Sequence, residues 1–152
     1  MKTSLRYMQL LKANTVIENN IKLAIFKNLR LSFKKGVNVC RYVLNDTFYV
    51  AMEKLGLSAE YIKPIPFYTH CGGIGHKSGI AAGRYCVKFS KYLLIILKNI
   101  LKNRNVKPEK VKICEIYVTK GKTVWGLNRR ARGHADRIKK KSCNIYLKYK
   151  IL

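Results

Sequence analysis

Acidic residues are scarce: seven Asp+Glu stand against thirty-two Lys+Arg, for a formal net charge of +25, and no acid occurs between Glu60 and Glu109. A charge run of mixed sign would read as a solvated face. A one-sided excess of this size repels itself in a lone compact monomer and implies a polyanionic partner. The seven carboxylates (Glu18, Asp46, Glu53, Glu60, Glu109, Glu115 and Asp136) form no close pair, and no Ser/His/Asp or Cys/His set stands at catalytic spacing, so the chain does not read as an enzyme. Long hydrophobic runs are also missing. The most apolar stretch, Tyr92 to Leu101, is interrupted by Lys98 and falls far short of the roughly 20 residues that a membrane span needs. The five cysteines (Cys40, Cys71, Cys86, Cys114 and Cys143) include no C-x-x-C pair, which fits neither a disulfide framework nor a regular zinc site. The N-terminal residues lack the h-region of a signal peptide, and the expected compartment is the cytosol, where the thiols stay reduced.

What is present suits one small domain. The chain has 152 residues, 48% of them apolar, enough for a single modest core. Leu5 to Leu11 is short and apolar like a strand. Asn14 then offers an N-cap to a helix through Leu29, with Ile17, Ile21, Ala24, Ile25 and Leu29 on one face. Val39, Tyr42, Val43, Asp46 and Val50 suggest a second, weaker helix. From Gly56 to Gly83 the periodicity dissolves among Pro64, Pro66 and several glycines, a long connection of the kind that a partner orders.

The clearest helix is expected from Arg84 to about Asn103. Its apolar side carries Phe89, Leu93, Ile96, Leu97, Ile100 and Leu101. At about 100° per residue, Arg84, Lys88, Lys91, Lys98 and Lys102 fall on a stripe opposite, interrupted by Ile95. The tail alternates as β: Val111, Ile113, Glu115 and Tyr117 against Lys112, Cys114, Ile116 and Val118, then Ile145, Leu147, Tyr149 and Ile151 against Asn144, Tyr146, Lys148 and Lys150.

Between those strands, Lys120 to Lys141 holds nine Lys+Arg and one acid, Asp136. A continuous arm from Val111 to Asn128 would reach roughly 60 Å at about 3.3 Å per residue. Such a basic two-stranded ribbon has no core and sets like charges across from each other. It is expected to be disordered in the free protein and ordered against RNA. Arg130-Ala131-Arg132-Gly133-His134-Ala135-Asp136 would form its tip, with Gly133 free to adopt positive φ. Arginine forks suit phosphate oxygens, and no set of base-reading groups accompanies them, so readout by shape is expected. Trp125 can pack in the ribbon or stack on a base. His70-Cys71-Gly72-Gly73-Ile74-Gly75-His76 invites a metal or phosphate-loop reading. Its spacing suits neither a tetrahedral site nor a Walker loop, and no metal or cofactor is expected.

Gly72-Gly73-Ile74-Gly75, Gly83-Arg84-Tyr85 leading into Lys88 and Tyr92-Leu93-Leu94 with Leu97-Lys98-Asn99, and Arg130-Ala131-Arg132-Gly133 before the terminal strand together resemble one family. It is the universal large-subunit ribosomal protein numbered twenty-two in bacteria and seventeen in eukaryotes. The resemblance runs from about Cys71 to Tyr149, and the Gly-rich loop before the long helix looks like the eukaryotic and archaeal branch. It implies an α+β fold of three helices on a small antiparallel three-stranded sheet, with a long extended β-hairpin. The expected division is a globular RNA-binding domain over 1–118, a basic hairpin over 119–141, and a return strand over 142–152.

The function so implied is a structural constituent of the large subunit, binding ribosomal RNA and lining the peptide exit tunnel. Its partners would be ribosomal RNA, neighbouring ribosomal proteins and the nascent peptide, with no membrane. By position, Arg129, Arg130, Ala131, Arg132, Gly133, His134 and Ala135 would be the tunnel tip. Lys120, Lys122, Lys139, Lys140 and Lys141 would flank it along the arms, adding with Trp125 to the helix stripe as RNA contacts. Two departures stand out: Cys86 where eukaryotic relatives favour proline, and an end at Leu152 without the long basic tail of many eukaryotic members. The rival class is a free basic protein of nucleic-acid or membrane surfaces.

Overall fold

A computed structural model describes residues 21–152. The expected strand Leu5 to Leu11 and the helix start at Asn14 lie outside the described residues. Within them, Ile21–Leu29 is strand β1, where the expected helix should have ended. The same apolar spacing satisfies both periods: Ala24 and Phe26 pack against the core while Leu23 and Ile25 face outward. Antiparallel pairing with the last strand, β7 (Cys143–Ile151), decides in favour of β.

The weak second helix is two helices, α1 (Phe33–Tyr42) and α2 (Phe48–Ala59). Asn45 turns the chain with φ 66, and the Thr47 hydroxyl caps α2 by accepting the Val50 N–H at 3.5 Å. Gly56, expected to open the long loop, lies inside α2. The short strands β2 (Ile65–Pro66) and β3 (Gly83–Arg84) pair across the Gly-rich connection and shorten it. Buried Asn38 ties that connection to α1: its Oδ1 accepts the Tyr68 and Thr69 N–H groups, and its Nδ2 donates to the Lys34 and Thr69 carbonyls.

The long helix, α3, spans Val87–Arg104, so Arg84 belongs to β3 and the basic stripe on the helix itself begins at Lys88. Its Ncap is Cys86, buried and without a capping bond. Strand β4 (Val111–Lys120) pairs with β7, giving the antiparallel order β1-β7-β4. A register shift between Ile113 and Glu115 moves the buried set from Val111 and Ile113 to Ile116 and Val118. This bulge breaks the expected strict alternation through Glu115 and Tyr117. β7 alternates without interruption, with Cys143, Ile145, Leu147 and Tyr149 buried.

The inner face of the sheet meets Val39 of α1 and Val43 at its C-terminal end, Phe48, Ala51 and Leu55 of α2, and Phe89, Leu93, Ile96, Leu97 and Ile100 of α3. Phe48 and Tyr149 rings lie 5.7 Å apart. At Gly36 a Cβ would sit 2.7 Å from the Phe89 ring, so only glycine lets α1 come this close.

The hairpin arms are not one continuous ladder. β4 is part of the three-stranded sheet, and Gly121 to Thr123 separates it from β5 (Val124–Arg129), which pairs only with β6 (Ala135–Lys140). The long arm expected from Val111 to Asn128 is thus made in two pieces, with β4 in the sheet and a projecting two-stranded ribbon of six residues per arm, about 20 Å at about 3.3 Å per residue. The expected like-charge pairing occurs in the sheet, where Lys112 faces Lys150, but not in the projecting ribbon. There Lys140 faces Val124, Lys139 faces Trp125, Arg137 faces Leu127 and Arg129 faces Ala135, so no cation stands directly opposite another.

Candidate nucleic-acid interface

Packing α3 on the sheet by its apolar side leaves Lys88, Lys91, Lys98 and Lys102 on the other, where all four are exposed. Tyr92 and Ile95 are exposed in the same helix, Ile95 at 55%, giving that side an apolar strip among the cations. Arg84, from β3, is exposed, and its Nη2 donates to the Gly73 carbonyl at 3.0 Å, which steadies the glycine loop as well as presenting charge.

The ribbon is exposed almost throughout. Trp125 and Leu127 share one face with Lys139 and Arg137, and the Lys139 ammonium stands 5.3 Å from the centre of the Trp125 ring. That face couples an open aromatic surface, 59% exposed, to two cations, which suits a base or ribose edge bordered by phosphate.

At the tip, Arg129 and Ala135 form the last pair, and Arg130 to His134 make the turn. The Arg130 N–H donates to the His134 carbonyl at 2.8 Å, and the His134 N–H donates to the Ala131 carbonyl. Arg132 and Gly133 both lie at positive φ, 57 and 74. Left-handed Gly133 is the conformation expected; left-handed Arg132 is not, and the residue is exposed at the end of the turn. Arg130 Nε contacts Asp136 Oδ2 at 2.6 Å, so the one acid of the segment holds one of its arginines in place.

The base of the ribbon is not legible in the sequence. Asn28, in the left-handed region with φ 56, accepts the Lys122 N–H on its Oδ1 at 3.1 Å and donates its own N–H to Asn144 Oδ1 at 2.8 Å. The Ser142 hydroxyl donates to the Lys122 carbonyl at 2.6 Å, and the Gly121 N–H donates to the Ser142 carbonyl at 3.0 Å. Lys120, Lys122, Lys139, Lys140 and Lys141, all exposed, radiate from this neck.

The glycine loop holds His70, Cys71 and His76 in exposed positions, and among the described residues no group of three His, Cys, Asp or Glu side chains could hold a metal ion. The buried thiols serve packing: burial pushes those of Cys40, Cys86 and Cys143 up, away from reactive thiolate. Among the described residues no helix is long and apolar enough to cross a membrane.

A family model described as Ribosomal protein L22p/L17e matches residues 24–150. Curated relatives named Large ribosomal subunit protein uL22 are similar over most of the chain. The Sulfurisphaera tokodaii protein is 33% identical over 129 residues, covering 79% of this chain and 83% of the relative. The one from Methanococcoides burtonii is 32% identical over 117 residues, covering 74% and 78%. The Haloarcula marismortui protein is 36% identical over 83 residues, about half of each chain.

Proposed function

The chain belongs to the L22p/L17e family of ribosomal proteins, in its archaeal and eukaryotic branch, and on that premise we propose that its basic ribbon threads ribosomal RNA and lines the exit tunnel. As a member it is a structural, non-enzymatic constituent of the large subunit, placed in the cytoplasmic ribosome with ribosomal RNA and other ribosomal proteins around it. The finer assignment concerns which surfaces do this. Three basic surfaces belong to one chain: the α3 stripe (Lys88, Lys91, Lys98, Lys102) with Arg84, the arms (Lys120, Lys122, Lys139, Lys140, Lys141) with Trp125, and, at the end of those arms, the tip from Arg129 to Ala135.

The observation that carries the reading is the ribbon itself. Six residues per arm with almost no buried surface cannot supply their own stability, and cations crowd both faces, so the ribbon gains its order from a polyanion that surrounds it. Contacts would be to phosphates and riboses, with lysines as point charges and arginines as forks. The division we propose, of the described residues, is a globular body up to residue 118, a threading element over 119–141, and a return strand over 142–152 that closes the sheet. At the tip, left-handed Arg132 and Gly133 with Ala131 and Ala135 make a narrow end that fits against a nascent chain.

Sedimentation through high salt tests the reading. A threaded ribosomal constituent stays with the large subunit after washing, whereas a loosely bound basic protein is released. Release of the full chain at moderate salt would overturn the threading proposal.

A further inference from the structure

Two clefts flank the neck where the ribbon leaves the sheet. One, of about 460 Å³, lies between the start of α1 and the ribbon base and is lined by Ser32, Phe33, Lys34, Lys120, Lys139 and Lys141, among others. The second, of about 390 Å³, is lined by Asn28, Arg30, Lys122, Lys140, Lys141 and Ser142, with Val124 beside them. Lys141 and Ser142 line both, so the clefts are two sides of one neck. Seven cations surround it and no carboxylate lines either cleft. Two of them, Arg30 and Lys34, come from the β1–α1 turn and the first turn of α1, more than 80 positions from the hairpin, and nothing in the sequence pattern singles them out.

Gathering this many like charges into concave surfaces is unfavourable unless an anion enters. We infer that this collar is a seat for RNA backbone phosphates, in which Arg30 and Lys34 of the globular body grip the same nucleic acid as the lysines of the hairpin base. The inference rests on the ribosomal-RNA reading above and deepens it by naming a site that fixes the angle between body and ribbon.

The chemistry of the clefts favours a nucleic-acid strand. Flexible ammonium groups suit phosphate as point charges, and the Arg30 fork suits its paired oxygens. The Lys120 ammonium stands 5.7 Å from the Phe33 ring centre, so the wall of the larger cleft offers an apolar face for a ribose beside a cation for its phosphate. The first turn of α1 carries no acid and the Ser32 side chain makes no capping bond, so nothing in the helix start competes for an incoming anion. A membrane surface cannot enter clefts on both sides of a projecting ribbon; a strand of RNA can.

The test uses the full chain and transcribed large-subunit ribosomal RNA, with affinity followed from low to moderate salt. The double substitution Arg30→Gln/Lys34→Gln is compared with a charge-matched control, Lys63→Gln/Lys107→Gln. None of the four side chains is buried, so the fold is kept, and thermal unfolding of each variant verifies this. If the collar seats phosphates, the slope of log affinity against log salt shrinks by about 0.7–0.9 for each phosphate no longer neutralised, on the order of 1.5 for the double variant, and much less for the control. Equal slopes for the two variants would overturn the inference while leaving wild-type binding to ribosomal RNA, and so the wider reading, intact. Binding of the wild type to anionic lipid vesicles as tight as to RNA would instead overturn both.

Discussion

Asn28 and Lys122 lie 94 positions apart in the chain, and the Asn28 side-chain oxygen accepts the Lys122 backbone N–H at 3.1 Å. That bond joins the end of β1 to the base of the ribbon at the point where the β4 ladder stops. With Asn144, Ser142 and Gly121 it replaces the strand pairing that ends there, and it sets the direction in which the ribbon leaves the sheet.

Gly121 is the close point of this joint: a Cβ there would lie 2.5 Å from Ser142 Oγ and 3.0 Å from Asn144 Oδ1. Gly121→Ala should therefore push Ser142 off the Lys122 carbonyl, costing about 1–3 kcal/mol as overpacking does. The melting temperature of the isolated chain should fall by several degrees. An unchanged melting temperature would show that the neck yields without cost.

Gly133 at φ 74 has open space around it, so a side chain there meets a backbone penalty and no clash. Gly133→Val should cost on the order of 1–3 kcal/mol locally and displace the turn from Arg130 to His134, without lowering the melting temperature of the core. A fall in protection of the Arg130 amide, read by NMR, checks it.

Much of this is readable from composition and period, and the rest is not, for definite reasons. β7 and the apolar side of α3 follow from alternation and from the 3.6-residue period, because both elements bury one side only. Ile21–Leu29 fits either period, and the choice is made by Lys148, Tyr146 and their neighbours across the ladder. The bulge at Cys114 shifts β4 by one residue, which alternation alone does not reveal. The neck is invisible for a similar reason: Asn28 and Asn144 are ordinary turn and strand residues until 116 positions of chain are folded back between them. Among the site residues, the lysines of α3 lie away from the sheet and those of the arms sit exposed, as their spacing implies. Arg84 falls outside the helix because the chain first makes β3.

The ribbon should exchange its amides quickly in the free chain. Its six-residue arms rest on cross-strand bonds alone, while β4 and β7 carry Ile113, Ile116, Ile145 and Leu147 into the core. Exchange from Val124 to Lys140 several orders of magnitude faster than in β7 is the expected result, with protection appearing once RNA is bound. Equal protection in the free chain would mean that the ribbon holds itself.

Thiol labelling gives an independent check of the core. Cys71 is exposed and should react readily, whereas Cys40, Cys86 and Cys143 are buried with their thiols pushed up and should react only on unfolding. The same shifts carry a sign for pH. The folded chain keeps these thiols protonated, so their contribution is full below about pH 8.5 and is lost as the unfolded thiols ionise above it.

The central claim is that the tip from Arg129 to Ala135 reaches the tunnel while the body and neck hold the subunit's RNA. An electron cryo-microscopy map of large subunits carrying the chain without Arg129 to Asp136 tests it most directly. The account predicts a subunit that still contains the protein, with the body in place and the tunnel lumen widened where the tip had been. A subunit that assembles with the shortened chain and an unchanged lumen would contradict it.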